Sequence, residues 1–328
     1  MGKDWNIIGH QWAVELLSGQ IKSNRIRHAY LFLGPPGIGK YELALAFSKA
    51  FNCLNPPKTA VFCGECRVCR QFDRGQHPDL FPLERNEGDK DIKVGAMRSL
   101  MRSLSLAPYD AEYRVALISN MQHASISASN ALLKTLEEPP KKVIFLLTAE
   151  IAENLPATIA SRCELVLLRS VKVNILAEEL ISRGVDKDQA RLLAHISGGR
   201  PGYAMELQSD PALLSQRTEW LNSQDTLLNA DRRTRFDFAQ ELSKDKSMFR
   251  QLLFTWISFW HDVLIRSSQA NTRLENLDRE SQIDELATRI PQHDVHRFIS
   301  DLQNTLSLID TNINLRLAAE VLLLKMPY

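Results

Sequence analysis

Two groups of residues have types and spacing that could do chemistry: the run Gly34-Pro35-Pro36-Gly37-Ile38-Gly39-Lys40 and the four cysteines Cys53, Cys63, Cys66 and Cys69. The first matches a phosphate loop up to its lysine. Its glycines let backbone N–H groups close around an anion, and a helix opening there would add a favourable dipole. Lys40 would bring a point charge to the β and γ phosphates. The next position departs from the pattern, because Tyr41 stands where a Ser or Thr hydroxyl would hold Mg²⁺. A phenolic oxygen at the far end of a ring cannot reach that point. The loop could still hold ATP or ADP, or it could survive only as a structural turn.

The cysteines read C-x9-C-x2-C-x2-C. Two-residue gaps let successive sulfurs point at one ion, as in small zinc modules. Four thiolates would fill the coordination shell of Zn²⁺ and leave no position for water, so the expected zinc is structural. Lys58, Arg67, Arg70 and Arg74 lie in or beside the loop and could offset the negative charge of such a centre. Unligated thiols and an iron–sulfur cluster are the alternatives, although the nine-residue gap matches neither common ferredoxin spacing. Cys163 lies far from the others and reads as a packing residue.

The elements that must position these groups follow from the pattern of apolar runs. Strands are expected at His28–Leu33, Asp79–Leu83, Arg114–Ser119, Val143–Thr148 and Glu164–Leu168. Helices are expected between them, at about 10–16, 40–52, 94–104, 126–137 and 153–160. Strands alternating with helices imply a parallel sheet in an α/β layer over residues 1–168, with the cysteine insertion at 53–76. The third strand should carry acidic groups for magnesium and for polarising water, yet it ends in Ser119-Asn120. Two independent departures at one site argue against efficient hydrolysis.

After Leu168 the strand signals stop. Residues 169–208 read as a small helical lid and 209–328 as a helical bundle, with Phe249, Leu252, Leu253, Trp256, Ile257 and Trp260 forming a core stripe at helical spacing. Lys plus Arg total 40 against 39 Asp plus Glu, and this balance argues against wrapping nucleic acid by charge alone. The start, Met1–Leu17, has no basic leader followed by an apolar stretch, and no membrane-length run occurs, so a cytoplasmic protein without membrane contact is expected.

Several segments together resemble the AAA+ clamp-loader subunits of bacterial DNA polymerase III. They are His28-Ala29-Tyr30-Leu31-Phe32 before the phosphate loop, the run from Ser129 to Pro140 containing Leu-Leu-Lys-Thr-Leu-Glu-Glu-Pro-Pro, and Ser161-Arg162-Cys163. The cysteine insertion after the phosphate-loop helix fits the same family. The match is good over residues 5 to about 208 and weak beyond. It implies an AAA+ domain with a parallel five-stranded sheet, a helical lid and an all-helical collar that joins five subunits in a ring. In that family the gamma/tau-type subunits resemble working ATPases, whereas the delta-prime-type subunits have eroded sites. Tyr41, Ser119 and Asn120 place this chain with the second type.

The resemblance also assigns roles. Arg162 would be donated in trans to the ATP site of an adjacent gamma/tau-type subunit. Thr148 matches the family's sensor position. Gly202 stands where the lid should offer an arginine, with Arg200 two positions early. The expected partners are gamma/tau-type and delta-type subunits, and through them a sliding clamp and primed DNA, with this chain as a relatively rigid stator. Two competing readings are an ATP-hydrolysing gamma/tau-type subunit and a zinc-dependent nucleic-acid-binding module.

Overall fold

The computed structural model describes residues 5–86, 89–270, 272–309 and 313–327. Five parallel strands, β1 (Ala29–Leu33), β2 (Leu80–Leu83), β3 (Arg114–Ile118), β4 (Val143–Ala149) and β5 (Glu164–Leu167), make one sheet in the order β2-β3-β4-β1-β5. Every residue of β1, β3 and β4 is buried, as parallel strands covered on both faces require. The edge strands β2 and β5 are only partly buried.

Alternation along the strands sorts side chains to two cores. Tyr30, Phe32, Val115, Leu117, Ile144 and Leu146 face the helices α1 (Gln11–Lys22) and α2 (Lys40–Asn52), against Leu17, Leu43 and Phe47. Leu31, Leu33, Ala116, Ile118, Phe145 and Leu147 face the opposite side. There they meet Met97 and Leu104 of α4 (Val94–Leu104) and Leu132 and Leu136 of α5 (Ile126–Glu137). The expected five-stranded α/β layer is therefore present.

Three boundaries differ from the periodicity reading. The first helix runs on to Lys22, because Leu17 continues the apolar face begun by Ala13 and Val14. The expected helix at 153–160 is a 3₁₀ turn at Ala152–Asn154 followed by α6 (Ala157–Ala160). Pro156 holds the residue before it in extended backbone and so breaks the helix. A helix that apolar spacing did not reveal, α3 (Arg67–Asp73), lies inside the cysteine insertion.

The chain divides into two compact units. The first runs to Glu179 and takes back Gly199–Tyr203; the second comprises Leu180–Gly198 and the chain from Ala204 on. Beyond β5 come α7 (Val173–Ser182), α8 (Lys187–Ile196), α9 (Pro201–Ser209), α10 (Pro211–Leu228), α11 (Arg232–Leu242), α12 (Lys246–Ser267), α13 (Glu280–Arg289), α14 (Gln292–Ile309) and α15 (Leu315–Leu324). The aromatic stripe of α12 is bundle core, as its spacing indicates: Phe249, Trp256, Phe259 and Trp260 are fully buried with Phe298 of α14. The indole N–H groups of Trp256 and Trp260 donate to the Trp220 carbonyl and to Gln224 Oε1. Arg235 is buried and donates to the carbonyls of Leu227, Leu228 and Leu323, which satisfies helix ends that water cannot reach. No helix among the described residues is long and apolar enough to cross a membrane.

Candidate functional site

The phosphate-loop sequence forms the expected strand–loop–helix. It leaves β1 at Leu33, turns through Gly34, Gly37 and Gly39 at positive φ, and enters α2 at Lys40. Its glycines are needed for close approach as well as for turning. Tyr203 N–H donates to the Gly37 carbonyl at 3.1 Å, and a Cβ at Gly202 would lie 2.9 Å from that same oxygen. The start of α9 is thus pressed on the loop, at the position where the lid pattern would carry an arginine. Arg200 lies with its guanidinium 4.7 Å from the centre of the Tyr203 ring. The N-terminal segment braces the other side, where buried His10 bonds through Nε2 to the Ile38 carbonyl at 2.9 Å.

Lys40 points inward. Only 7% exposed, its ammonium donates to the carbonyls of Gly34 at 2.6 Å and Pro35 at 2.9 Å. Burial lowers its pKa to about 8, opposed by the charges of Glu150 and Glu42. Tyr41 is at the start of α2, and burial pushes its phenol above the ordinary range. At the end of β3, Ser119 is buried and bonds through its backbone N–H to the Leu83 carbonyl. Asn120 adopts the left-handed conformation and donates its N–H to Thr148 Oγ1 at 2.9 Å. The sensor-position threonine is therefore tied to the place where the acidic motif would end. The aliphatic hydroxyl expected at position 41 and the carboxylates expected at 119 and 120 are replaced by Tyr, Ser and Asn, so these positions lack the magnesium ligands of the phosphate-loop pattern.

The four cysteine sulfurs converge to within 4.8 Å of one another. Sγ···Sγ separations of 3.6 Å for Cys53–Cys63 and 4.0 Å for Cys63–Cys69 suit a tetrahedral ion, since Zn–S bonds of about 2.3 Å put sulfurs about 3.8 Å apart. The knuckle is built by backbone N–H groups aimed at sulfur. Glu65 and Cys66 donate to Cys63 Sγ, Cys69 donates to Cys66 Sγ, and Cys63 donates to Cys53 Sγ. The bond from the Cys66 N–H is the leading cause that brings the Cys63 thiol down to about 6, whereas burial raises Cys53 and Cys69. This donor set fits Zn²⁺.

Two of the arginines expected to offset such a centre have other partners. Arg67 pairs with Asp110, and Arg70 donates to the Glu65 carbonyl. Trp5 fixes the insertion from outside by donating its indole N–H to the Ala60 carbonyl at 2.8 Å.

A buried carboxylate supports this edge of the sheet, and no spacing rule pointed to it. Asp79, fully buried just before β2, accepts from the backbone N–H groups of Tyr109, Asp110 and Ala111. Burial raises its pKa, but these bonds outweigh it and hold the carboxyl below its usual range.

Arg162 lies in the turn between α6 and β5. Its side chain is about one-third exposed, with Nη2 donating to Glu137 Oε1 at 2.5 Å and Nη1 to the Thr158 carbonyl at 2.8 Å. Next to it Cys163 packs against the core beneath α5 and α6, and burial raises its thiol pKa to about 12, in keeping with a packing role.

A parallel α/β sheet with a phosphate loop after its first strand, a cysteine knuckle and a helical C-terminal region is the arrangement that the resemblance to clamp-loader subunits implies. A family model described as "DNA polymerase III, delta subunit" matches residues 9–172, half of the chain, and the chain belongs to that family. The DNA polymerase III subunit delta' of Bacillus subtilis is 28% identical over 95% of this chain and 94% of its own length. That of Pseudomonas aeruginosa is 31% identical over 71% of this chain and 70% of its own. The tau subunit of Escherichia coli is 34% identical over 64% of this chain, which spans only 33% of that relative. A Thermotoga maritima gamma subunit-related protein of known structure superposes with a TM-score of 0.45 at 17% identity, covering 95% of this chain and 97% of its own.

Proposed function

We propose that this chain is the delta-prime-type subunit of a DNA polymerase III clamp loader, a non-hydrolysing stator that supplies Arg162 in trans to the ATP site of a neighbouring gamma/tau-type subunit. The observation that carries the reading is the state of its own site: Tyr41, Ser119 and Asn120 replace the magnesium and water-polarising groups, and Lys40 is engaged by the loop's carbonyls. Phosphoryl transfer depends on metal neutralisation and a positioned nucleophile, and neither is provided at these positions. A planar guanidinium held in the turn before β5 is suited to stabilising charge on a phosphoryl group elsewhere. The near end-to-end match to a delta' relative supports the same assignment.

On this reading zinc in the cysteine knuckle is structural, residues 169–208 form the lid, and residues 209–328 join the collar of a five-membered ring. The ring also contains a delta-type subunit and acts in the cytoplasm on a sliding clamp and primed DNA. A gamma/tau-type ATPase is the second reading, favoured by the loop's intact match up to Lys40 and by the tau relatives. ATP hydrolysis by the purified chain alone separates the two. No turnover with or without Mg²⁺ is expected; magnesium-dependent turnover abolished by Lys40→Ala would establish the second reading instead.

A further inference from the structure

Resting on the reading in which Arg162 works in a neighbour's site, we infer that Glu137 is the positioning residue that aims this arginine. Glu137 is the last residue of α5, the helix whose C-terminal run is Leu-Leu-Lys-Thr-Leu-Glu-Glu before Pro139. Arg162 is 25 residues further on, yet the two side chains meet through Nη2 and Oε1. The contact joins two sequence segments that pack on the same core.

Its anchors are rigid. Leu132 and Leu136 fix α5 on the sheet, buried Ile159 fixes α6, and the Arg162 backbone N–H donates to the Ile159 carbonyl at 3.1 Å. Glu137 from α5 and the Thr158 carbonyl of α6 therefore grip the guanidinium from two elements. A guanidinium has five N–H donors in a fixed fork, so two are used in holding it and three remain for an external oxygen. Held this way, a long side chain has fewer rotamers to lose when it meets a phosphoryl group, and orientation of this kind is worth large rate factors.

A different role for the same contact, in which the carboxylate neutralises the arginine and holds it back, would give the opposite sign in kinetics. The test is steady-state ATP hydrolysis by the complex assembled with a gamma/tau-type partner and a delta-type subunit on primed DNA. It compares the wild type with Glu137→Ala, Glu137→Gln, Arg162→Ala and the double Ala variant. Glu137→Ala should lower kcat about tenfold with KM unchanged. Glu137→Gln, whose amide oxygen still accepts, should recover most of that loss. In the Arg162→Ala background Glu137→Ala should add nothing, because the two act as one unit. Glu137 is half exposed, so assembly by gel filtration should be unaffected.

A Glu137→Ala complex at or above wild-type turnover, while Arg162→Ala is impaired, would overturn this inference alone. A further fall on adding Glu137→Ala to Arg162→Ala would also overturn it, by showing a structural effect. Arg162→Ala without effect would overturn the trans-arginine reading and this inference with it.

Discussion

Two cations on the first unit show opposite fates. Lys40 is turned into its own loop, with its ammonium shared by the carbonyls of Gly34 and Pro35 and its surface nearly all buried. Arg162 stands in the turn before β5 with a third of its side chain in solvent and two anchors behind it. The loop lacks the magnesium ligands of its motif at Tyr41, Ser119 and Asn120, whereas Arg162 is held by two contacts with part of its side chain exposed, the arrangement that the proposed trans role requires. On the proposed reading the two tasks rest on different residues, so the loop's own chemistry and a contribution to a neighbour's site can vary independently.

Replacing Arg162 by Lys keeps the charge and loses the planar fork, and should lower turnover of the assembled complex by roughly 10²-fold in a steady-state assay. Near-normal turnover would mean that a point charge suffices there. In the cysteine knuckle, Cys66→Ser should reduce zinc content, measured by atomic absorption. It should also destabilise the unit by about 2 kcal/mol or more, a Tm fall of about 4–8 °C in calorimetry. Full zinc occupancy in that variant would refute the tetrathiolate assignment.

Lys40 gives a pH-dependent effect of comparable size. Burial lowers its folded pKa to about 8 from 10.5, so between those values the unfolded chain binds more protons than the folded one. Stability of the wild type should therefore rise with pH across that window relative to Lys40→Met, by no more than about 3 kcal/mol in denaturant titrations. Parallel pH profiles would place the ammonium in contact with water. The smallest effect is expected from Tyr41→Thr. It restores one hydroxyl ligand but leaves Ser119 and Asn120 in place, so the purified chain should remain without turnover.

Much of the fold was legible because its signals are local. The five strands are short apolar runs with turn residues behind them, and the knuckle and the phosphate loop are fixed spacings. Helix α3 has no clear apolar period, because its apolar residues, Val68 and Phe72, are interleaved with arginines and a cysteine over only seven positions. Asp79 reads as an ordinary acidic residue at a strand edge until the fold delivers three backbone amides from about thirty residues away. The Glu137–Arg162 contact and the approach of Gly202 to Gly37 are likewise made by tertiary packing, and no period or motif encodes them. Departures from the magnesium pattern needed no structure at all, since a Tyr in place of Ser or Thr and a Ser-Asn pair in place of two carboxylates are visible in the letters.

The most direct test of the central claim is ATP hydrolysis by a gamma/tau-type partner, measured alone, with the wild-type chain, and with Arg162→Ala in its place. The wild-type chain is expected to raise the partner's turnover, and Arg162→Ala to assemble equally well but remove most of the increase. Equal stimulation by both would contradict the claim.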